Sequence, residues 1–437
     1  MDFLFFYELK NREIETLALL KCELERRGYS CTISHFSAWG YGRNMLSNPK
    51  VIVVPWLRGD DNVYTFTRNI WRTKKLVDFQ CEQIYSEADI RLGNALCTGI
   101  ARRAYHLCWG NMSQKRLMDC GIDNNHLPIT GCIKMDFFTP TFASLFQNRV
   151  QMAEKYSLQQ VKSWFVFVSS LAYATYRSND LEYLYQKTGD FSDFVAIHKE
   201  TRLILLEWID RYLKENNDVE FIYRPHPSEA IDDLLLKYES DISSFHIIPT
   251  ESLQQWIQVS DVIDVWYTTG IAEVYYSGKV CNIVRPISIP QQYEIDFYKG
   301  GHFLTTYSEF AQAHEKPYNR PFPVDTSKIT DTYSQSGIPN YIRTADVLEH
   351  ILNDKKAQVN YYAGLPKQKY HTVRQYLKSL LGDIMRVFHL QFSKYFKDTT
   401  YMYEVLTYIE DKIDGIDDYI LASCKKMDQI VNQTGKR

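Results

Sequence analysis

Residues 222–230 read IYRPHPSEA. Two prolines flank one histidine, and an arginine stands two residues before it. Proline fixes φ and cannot donate to a strand ladder. The spacing therefore predicts a strand that stops near Arg224 and a rigid turn carrying Arg224 and His226. Such a mount suits an anion that gains charge during a reaction, but a histidine bonded to a carbonyl inside a turn would read the same way. A second stretch, DVWYTTGIAEVYYSGK at 264–279, shifts the balance. There a strand pattern ends in Tyr267-Thr268-Thr269-Gly270 and a helical pattern begins at once. Free backbone N–H groups, hydroxyls and the positive end of a helix dipole make an anion site. A plain N-cap needs only one hydroxyl. Glu273, one turn further on, is placed to reach a ribose hydroxyl. Ser169-Ser170 follow a third strand pattern. Three polar strand ends in one half of the chain predict a nucleotide-phosphate pocket built from Ser169, Ser170, Arg224, His226, Thr268, Thr269, Gly270 and Glu273.

The other half offers carboxylates. Glu8 follows the first strand pattern, and Glu82 stands in DFQCEQ after a later one. A carboxylate opposite a phosphate pocket is a candidate base or nucleophile, so Glu8, Glu82 and His226 are the catalytic candidates. Asp190 and Asp193, in a polar loop, are further carboxylates. The sequence has no G-x-x-x-x-G-K-[ST]. No G-x-G-x-x-G follows the first strand of either half, and no Asp-x-Asp follows a strand. No metal site is expected. The nine cysteines include no C-x-x-C and read as free thiols in a reducing compartment.

These residues need scaffolds. Short apolar runs at 2–8, 29–34, 50–55, 104–110 and 127–131 alternate with helical patterns at 11–28 and 114–121, and 68–79 reads as a helix running into a strand. The alternation restarts at 163–170 and continues through strands at 219–225, 244–249, 261–266 and 280–284. Strand-helix alternation predicts parallel sheets covered by helices. The chain thus reads as α/β, with two Rossmann-like doubly wound domains facing a cleft, at 1–158 and 159–330. Residues 331–437 read as a helical extension. Its mixed charges favour packing over docking to a partner or a membrane surface. With 437 residues and 45% hydrophobic content, two cores are affordable; the net charge of −3 disfavours nucleic acid as a partner. The apolar start is followed by acidic residues and reads as a core strand rather than a signal peptide. No apolar run reaches 18 residues, so a cytoplasmic location is expected, with peripheral contact at an inner membrane as the variant of it.

RPHP, DVWYTTGIAEVYYSGKVC and ITGCIKMDFF, in that order and spacing, resemble the GT-B glycosyltransferases of bacterial capsule and O-antigen assembly, the Kdo transferases in particular. The resemblance spans about residues 5–290. It implies a cytidine-activated donor, with His226 on the donor phosphate beside Thr268 and Thr269. It implies transfer of a sugar, Kdo by preference, to a surface glycan or its lipid-linked precursor. No separate cofactor is implied, since the CMP-sugar is itself the substrate. A CDP-glycerol-type phosphotransferase and a nucleotide-sugar epimerase are the alternatives on the same scaffold. The chain departs from the resembled pattern at Thr268-Thr269, where Ser is usual, and at Val280-Cys281, where a proline usually follows.

Overall fold

The computed structural model describes residues 1–36, 48–67, 75–86, 90, 95–334, 336–355, 359, 361, 372–397, 403, 406, 407, 410 and 415–434. It divides into two compact units. The first comprises residues 1–83, 95–136 and 330–437, the second residues 84–94 and 137–329.

The first unit is built on a parallel sheet of β1 (Phe3–Tyr7), β2 (Cys31–His35), β3 (Val51–Val54), β4 (Leu76–Asp78) and β5 (Tyr105–His106), in the order β2-β1-β3-β4-β5. Phe3 faces Cys31 on one side and Val51 on the other. β1 and β3 are buried throughout. That explains their unbroken apolar runs, because a parallel strand covered on both faces has no solvent side to alternate towards. LPITG contributes only a single parallel bridge, Cys108 to Ile129, in place of the expected strand. Pro128 accepts from the Cys108 N–H but has none of its own to extend a ladder.

Helix α1 (Lys10–Arg26) follows β1 and ends before Gly28, whose φ is +92°. Ile14, Leu17, Leu20 and Leu24 are buried on it. Two helices from the end of the chain, Asn340–Asn353 and Ile416–Thr434, pack on α1. Arg27 reaches Asp346 and Glu349, and buried Lys75 donates to the carbonyls of Ile351 and Leu352. The buried Asp136 carboxylate accepts from the Asn340 and Tyr341 N–H groups at the start of the same helix. Residues 331–437, read from the sequence as a helical extension, belong to the first unit. The main segment of the second unit begins at Phe137 and not near the expected residue 158. Gln147 and Gln255 exchange two hydrogen bonds of 2.8 Å, and Arg149 reaches the Val259 carbonyl and Asp261, tying 137–158 to the second sheet's surroundings. Such side-chain pairings leave no mark in local periodicity.

Gly131, in the ITGCIKMDFF stretch, has φ +76°, and a Cβ there would sit 2.0 Å from Asn340 Oδ1 and 2.7 Å from the Ser334 carbonyl oxygen. Gly131→Ala is expected to cost about 2–3 kcal/mol or more, because strain and a backbone clash add. An unchanged denaturant midpoint would contradict the close approach.

The second unit carries six parallel strands: β6 (Ser163–Val168), β7 (Val219–Arg224), β8 (Phe245–Ile247), β9 (Val262–Val265), β10 (Val280–Val284) and β11 (Phe303–Leu304). Their order is β11-β10-β9-β6-β7-β8. The chain runs β6-β7-β8 in one direction, then returns to place β9 on the other side of β6. A crevice opens at such a reversal, at the carboxyl ends of the strands. The two-residue β11 was not foreseen, since so short an edge carries no periodicity. Buried Asp264 on β9 lies 2.8 Å from His314 Nε2 and accepts from Asn282 of β10 at 2.9 Å.

Candidate functional site

Register places the predicted residues together. Val168 pairs with both Arg224 and Val265, so Ser169, Pro225 and Trp266 leave the sheet at the same level on three adjacent strands. The two prolines do what their spacing predicts: the strand ends at Arg224 and the turn follows.

The turn is held by Glu229, which sequence reasoning did not single out. Its buried carboxylate accepts from Tyr223 OH at 2.6 Å, from Ser169 Oγ and from the His226 N–H at 3.3 Å. Arg202 Nε lies 3.4 Å away, and the Arg202 guanidinium forks onto Asp232. Burial first, and the Glu229 charge second, push Tyr223 well above the ordinary tyrosine range, so it remains a donor. The only local signal for Glu229 is an acid three residues after His226. Ser169 is thus an inner support of the turn. Ser170 likewise accepts from the Tyr267 N–H at 3.1 Å and joins two strand ends.

His226 is an exposed residue of this turn. Its Nδ1 accepts from the Ser228 N–H at 3.1 Å, which leaves the proton on Nε2, the atom turned away from the turn. Desolvation, then the Arg224 charge, lowers its pKa below the ordinary histidine value. A neutral Nε2–H donor follows, in place of the protonated histidine that would pass a proton to phosphate. The expected result is a kcat/KM that does not decline between about pH 6.5 and 8 on account of His226. A descending limb near pH 6.5 that His226→Gln abolishes would contradict the tautomer.

Arg224 is half-buried. One Nη donates weakly to the Glu251 carbonyl at 3.4 Å, and its buried Nε has no hydrogen-bond partner among the described residues. Burial lowers its pKa, and the charge of Glu273 acts against that. Glu273 is buried, on the inner side of the helix Ile271–Ser277, and faces Arg224 electrostatically. Glu251 itself adopts φ +70°, an uncommon conformation for a residue with a side chain.

Thr268 is engaged within the loop. Its N–H donates to Tyr298 OH at 3.1 Å, Tyr298 OH donates to its carbonyl at 2.8 Å, and its hydroxyl accepts from the Gly270 N–H at 3.1 Å. That hydroxyl therefore occupies one of the N–H groups expected to meet an anion. Thr269 is half-exposed. The helix after Gly270 has seven residues and no side-chain cap, so its dipole is short. Asp190 accepts from the Ser192 N–H, and Asp193 accepts from the Phe194 N–H and from Tyr293 OH, whose backbone carbonyl in turn accepts from Tyr267 OH.

In the first unit, Glu8 and Glu82 gather on Arg12, which the sequence reading missed although it lies one helical turn beyond Glu8. Arg12 contacts Glu8 at 3.3 Å, Glu13 at 2.7 Å and Glu82 at 3.6 Å. Trp56 Nε1 donates to Glu8 at 3.1 Å. Burial opposes the Arg12 charge, but the Glu13 carboxylate outweighs it and raises the Arg12 pKa. Beside this group is a small cavity lined by Arg12, Glu13, Thr16, Trp109, Thr130 and Lys134, among others. In the same unit, buried His106 donates from Nδ1 to Asp78 at 2.9 Å and from Nε2 to the Ala101 carbonyl at 3.0 Å, which requires the imidazolium. Burial opposes that charge, yet the Asp78 bond prevails and the pKa is pushed up to about 10. A histidine raised in the folded state stabilises fully below its unfolded pKa of roughly 6.5 and loses that contribution as pH rises towards 10. The denaturant midpoint of the protein should fall between pH 7 and 9.5, and His106→Gln should flatten that slope.

Two Rossmann-like domains of this kind define the GT-B architecture, and solved structures bear this out at the level of fold. The chain is similar to a putative UDP-N-acetylglucosamine 2-epimerase from Listeria monocytogenes (10% identity, 82% of this chain and 98% of that chain, TM-score 0.50). It is similar to the UDP-GlcNAc 2-epimerase of Methanocaldococcus jannaschii (13%, 80% and 100%, 0.51) and to the wall teichoic acid polymerase TagF (12%, 80% and 88%, 0.51). No family profile matches the sequence, and no curated protein sequence matches it.

Proposed function

We propose that the chain is an enzyme acting on a nucleotide-activated sugar, with the donor phosphate seated between Arg224, His226 and Thr269. One observation carries the reading: a half-buried guanidinium, held among the described residues only by one weak bond to the Glu251 carbonyl, acts electrostatically on an imidazole whose tautomer is fixed to offer Nε2–H. When a glycosyl–phosphate bond breaks, charge grows on the phosphate oxygens. Preorganised donors in a partly desolvated site stabilise that charge without reorganising. The finer reading is a glycosyltransferase using a CMP-sugar, Kdo by preference, with a surface glycan or lipid-linked glycan as acceptor. Glu8 or Glu82, at the carboxyl end of the first sheet, is then the base that accepts the acceptor's proton.

Epimerisation of a nucleotide sugar is the second reading, favoured by the shared architecture with the Listeria and Methanocaldococcus proteins. The glycerophosphotransferase alternative has a parallel in the fold shared with TagF.

The test is a thermal-shift series with CMP, CDP, UDP and GDP. A ligand at about 100 times its Kd adds roughly 2.7 kcal/mol, a shift of several degrees. CMP is expected to stabilise, and stabilisation by UDP alone moves the assignment to the epimerase reading. No shift with any of the four refutes the phosphate pocket, as does a shift that Arg224→Ala leaves unaltered. Product analysis separates the two activities: transfer releases nucleotide only when acceptor is present, whereas epimerisation interconverts two intact nucleotide sugars.

A further inference from the structure

The helix Thr372–Val387 is folded inside out. Ser379, Gly382 and Met385 are buried, while Leu377, Leu380, Leu381, Ile384, Val387 and Phe388 are exposed. At roughly 100° per residue the six exposed side chains fall within about one third of the helix circumference. The buried trio occupies the next sector round. A helix packed in the ordinary way would turn its leucines inward and its serine out. The apolar surface continues past the helix through Leu390, Tyr395 (74% exposed) and Phe396.

Charge accompanies this stripe. Residues 372–397 contain Arg374, Lys378, Arg386, Lys394 and Lys397 against the single acid Asp383, in a chain whose net charge is −3. An apolar stripe on a segment with this excess of cations fits a surface that offers hydrocarbon beneath a layer of negative charge. Tyrosine and phenylalanine at the margin fit the headgroup boundary, and lysine stems reach past apolar surface to place their charge in water. Among the described residues no helix is long and apolar enough to cross a membrane, so this one would lie along it.

We infer that the exposed face of Leu377–Phe396 is a docking surface for an anionic lipid bilayer. It binds in the interfacial plane and holds the first unit against the membrane. The inference stands apart from the donor assignment, although a lipid-linked acceptor would be met at the same surface.

The experiment uses the full chain with vesicles of phosphatidylcholine alone or mixed with phosphatidylglycerol, read by co-sedimentation. The wild-type protein is expected to pellet with the mixed vesicles about tenfold more than with phosphatidylcholine alone, and less so as salt rises. Leu380→Asp/Phe388→Asp is expected to remain in the supernatant with an unchanged thermal midpoint, since both side chains are exposed. The nucleotide thermal shift of that variant should match wild type, so failure here is distinguishable from failure of the phosphate pocket. Wild-type protein left in the supernatant overturns the inference, as does equal pelleting of the variant. A stable wild-type dimer that the double substitution splits, without lipid binding, assigns the face to a second copy of the chain and likewise overturns it.

Discussion

His226→Ala is expected to lower kcat/KM by about 10²–10³-fold, the loss typical when one preorganised donor to a developing oxyanion is removed. The reasoning runs through its two ring nitrogens. Nδ1 is held by the Ser228 N–H at 3.1 Å, so Nε2 alone is offered outward. The flanking prolines fix the backbone, and the Glu229 carboxylate holds the turn from below. Little of the donor's position is therefore decided at the moment of reaction. His226→Gln, which restores an N–H near the same place, should recover part of the loss; a fully protonated catalyst would not be rescued that way. Arg224→Ala should weaken nucleotide binding as well as kcat, because a charge-assisted bond to phosphate exists before the bond breaks. His226→Ala with wild-type kcat/KM would remove the histidine from the chemistry.

Glu229→Ala is expected to cost about 3–5 kcal/mol of stability in the second unit and to abolish activity with it. The substitution deletes the common acceptor of Tyr223 OH, Ser169 Oγ and the His226 N–H, and takes from Arg202 one of its two carboxylates while its fork onto Asp232 remains. Buried donors left without their acceptor each cost the desolvation of that group, about 1–3 kcal/mol. Glu229→Gln keeps the shape and one acceptor oxygen but brings an NH₂ against donors. It should fall between wild type and alanine in stability while still disturbing His226. If Glu229→Ala melts like wild type and retains activity, the network does not hold the turn. Comparing the two variants in thermal melts and in kcat separates support of the fold from support of the site.

Much of the architecture was legible from local sequence. Parallel strands such as VIVV at 51–54 and SWFVFV at 163–168 are covered on both faces, so they appear as continuous apolar runs. Proline acts through its own ring and its missing N–H, so the stop at Arg224 could be read from four letters. The phosphate-pocket candidates were legible for the same reason: polar residues placed directly after strands must appear at the strands' carboxyl ends.

Other features depend on partners far along the chain. Glu229 holds a serine 60 residues earlier, Arg12 gathers an acid 70 residues later, and Asp136 receives a helix that starts at Asn340. No spacing rule encodes such meetings. They also decided that the helical extension 331–437 belongs to the first unit, and that Ser169 and Thr268 serve the scaffold. Hydroxyls have several acceptors within reach, and only tertiary packing selects among them. The same holds for the helix Thr372–Val387. Its sequence shows an apolar stripe, but which face turns inward is settled by what packs beside it, and there Ser379 and Gly382 point in while the leucines point out.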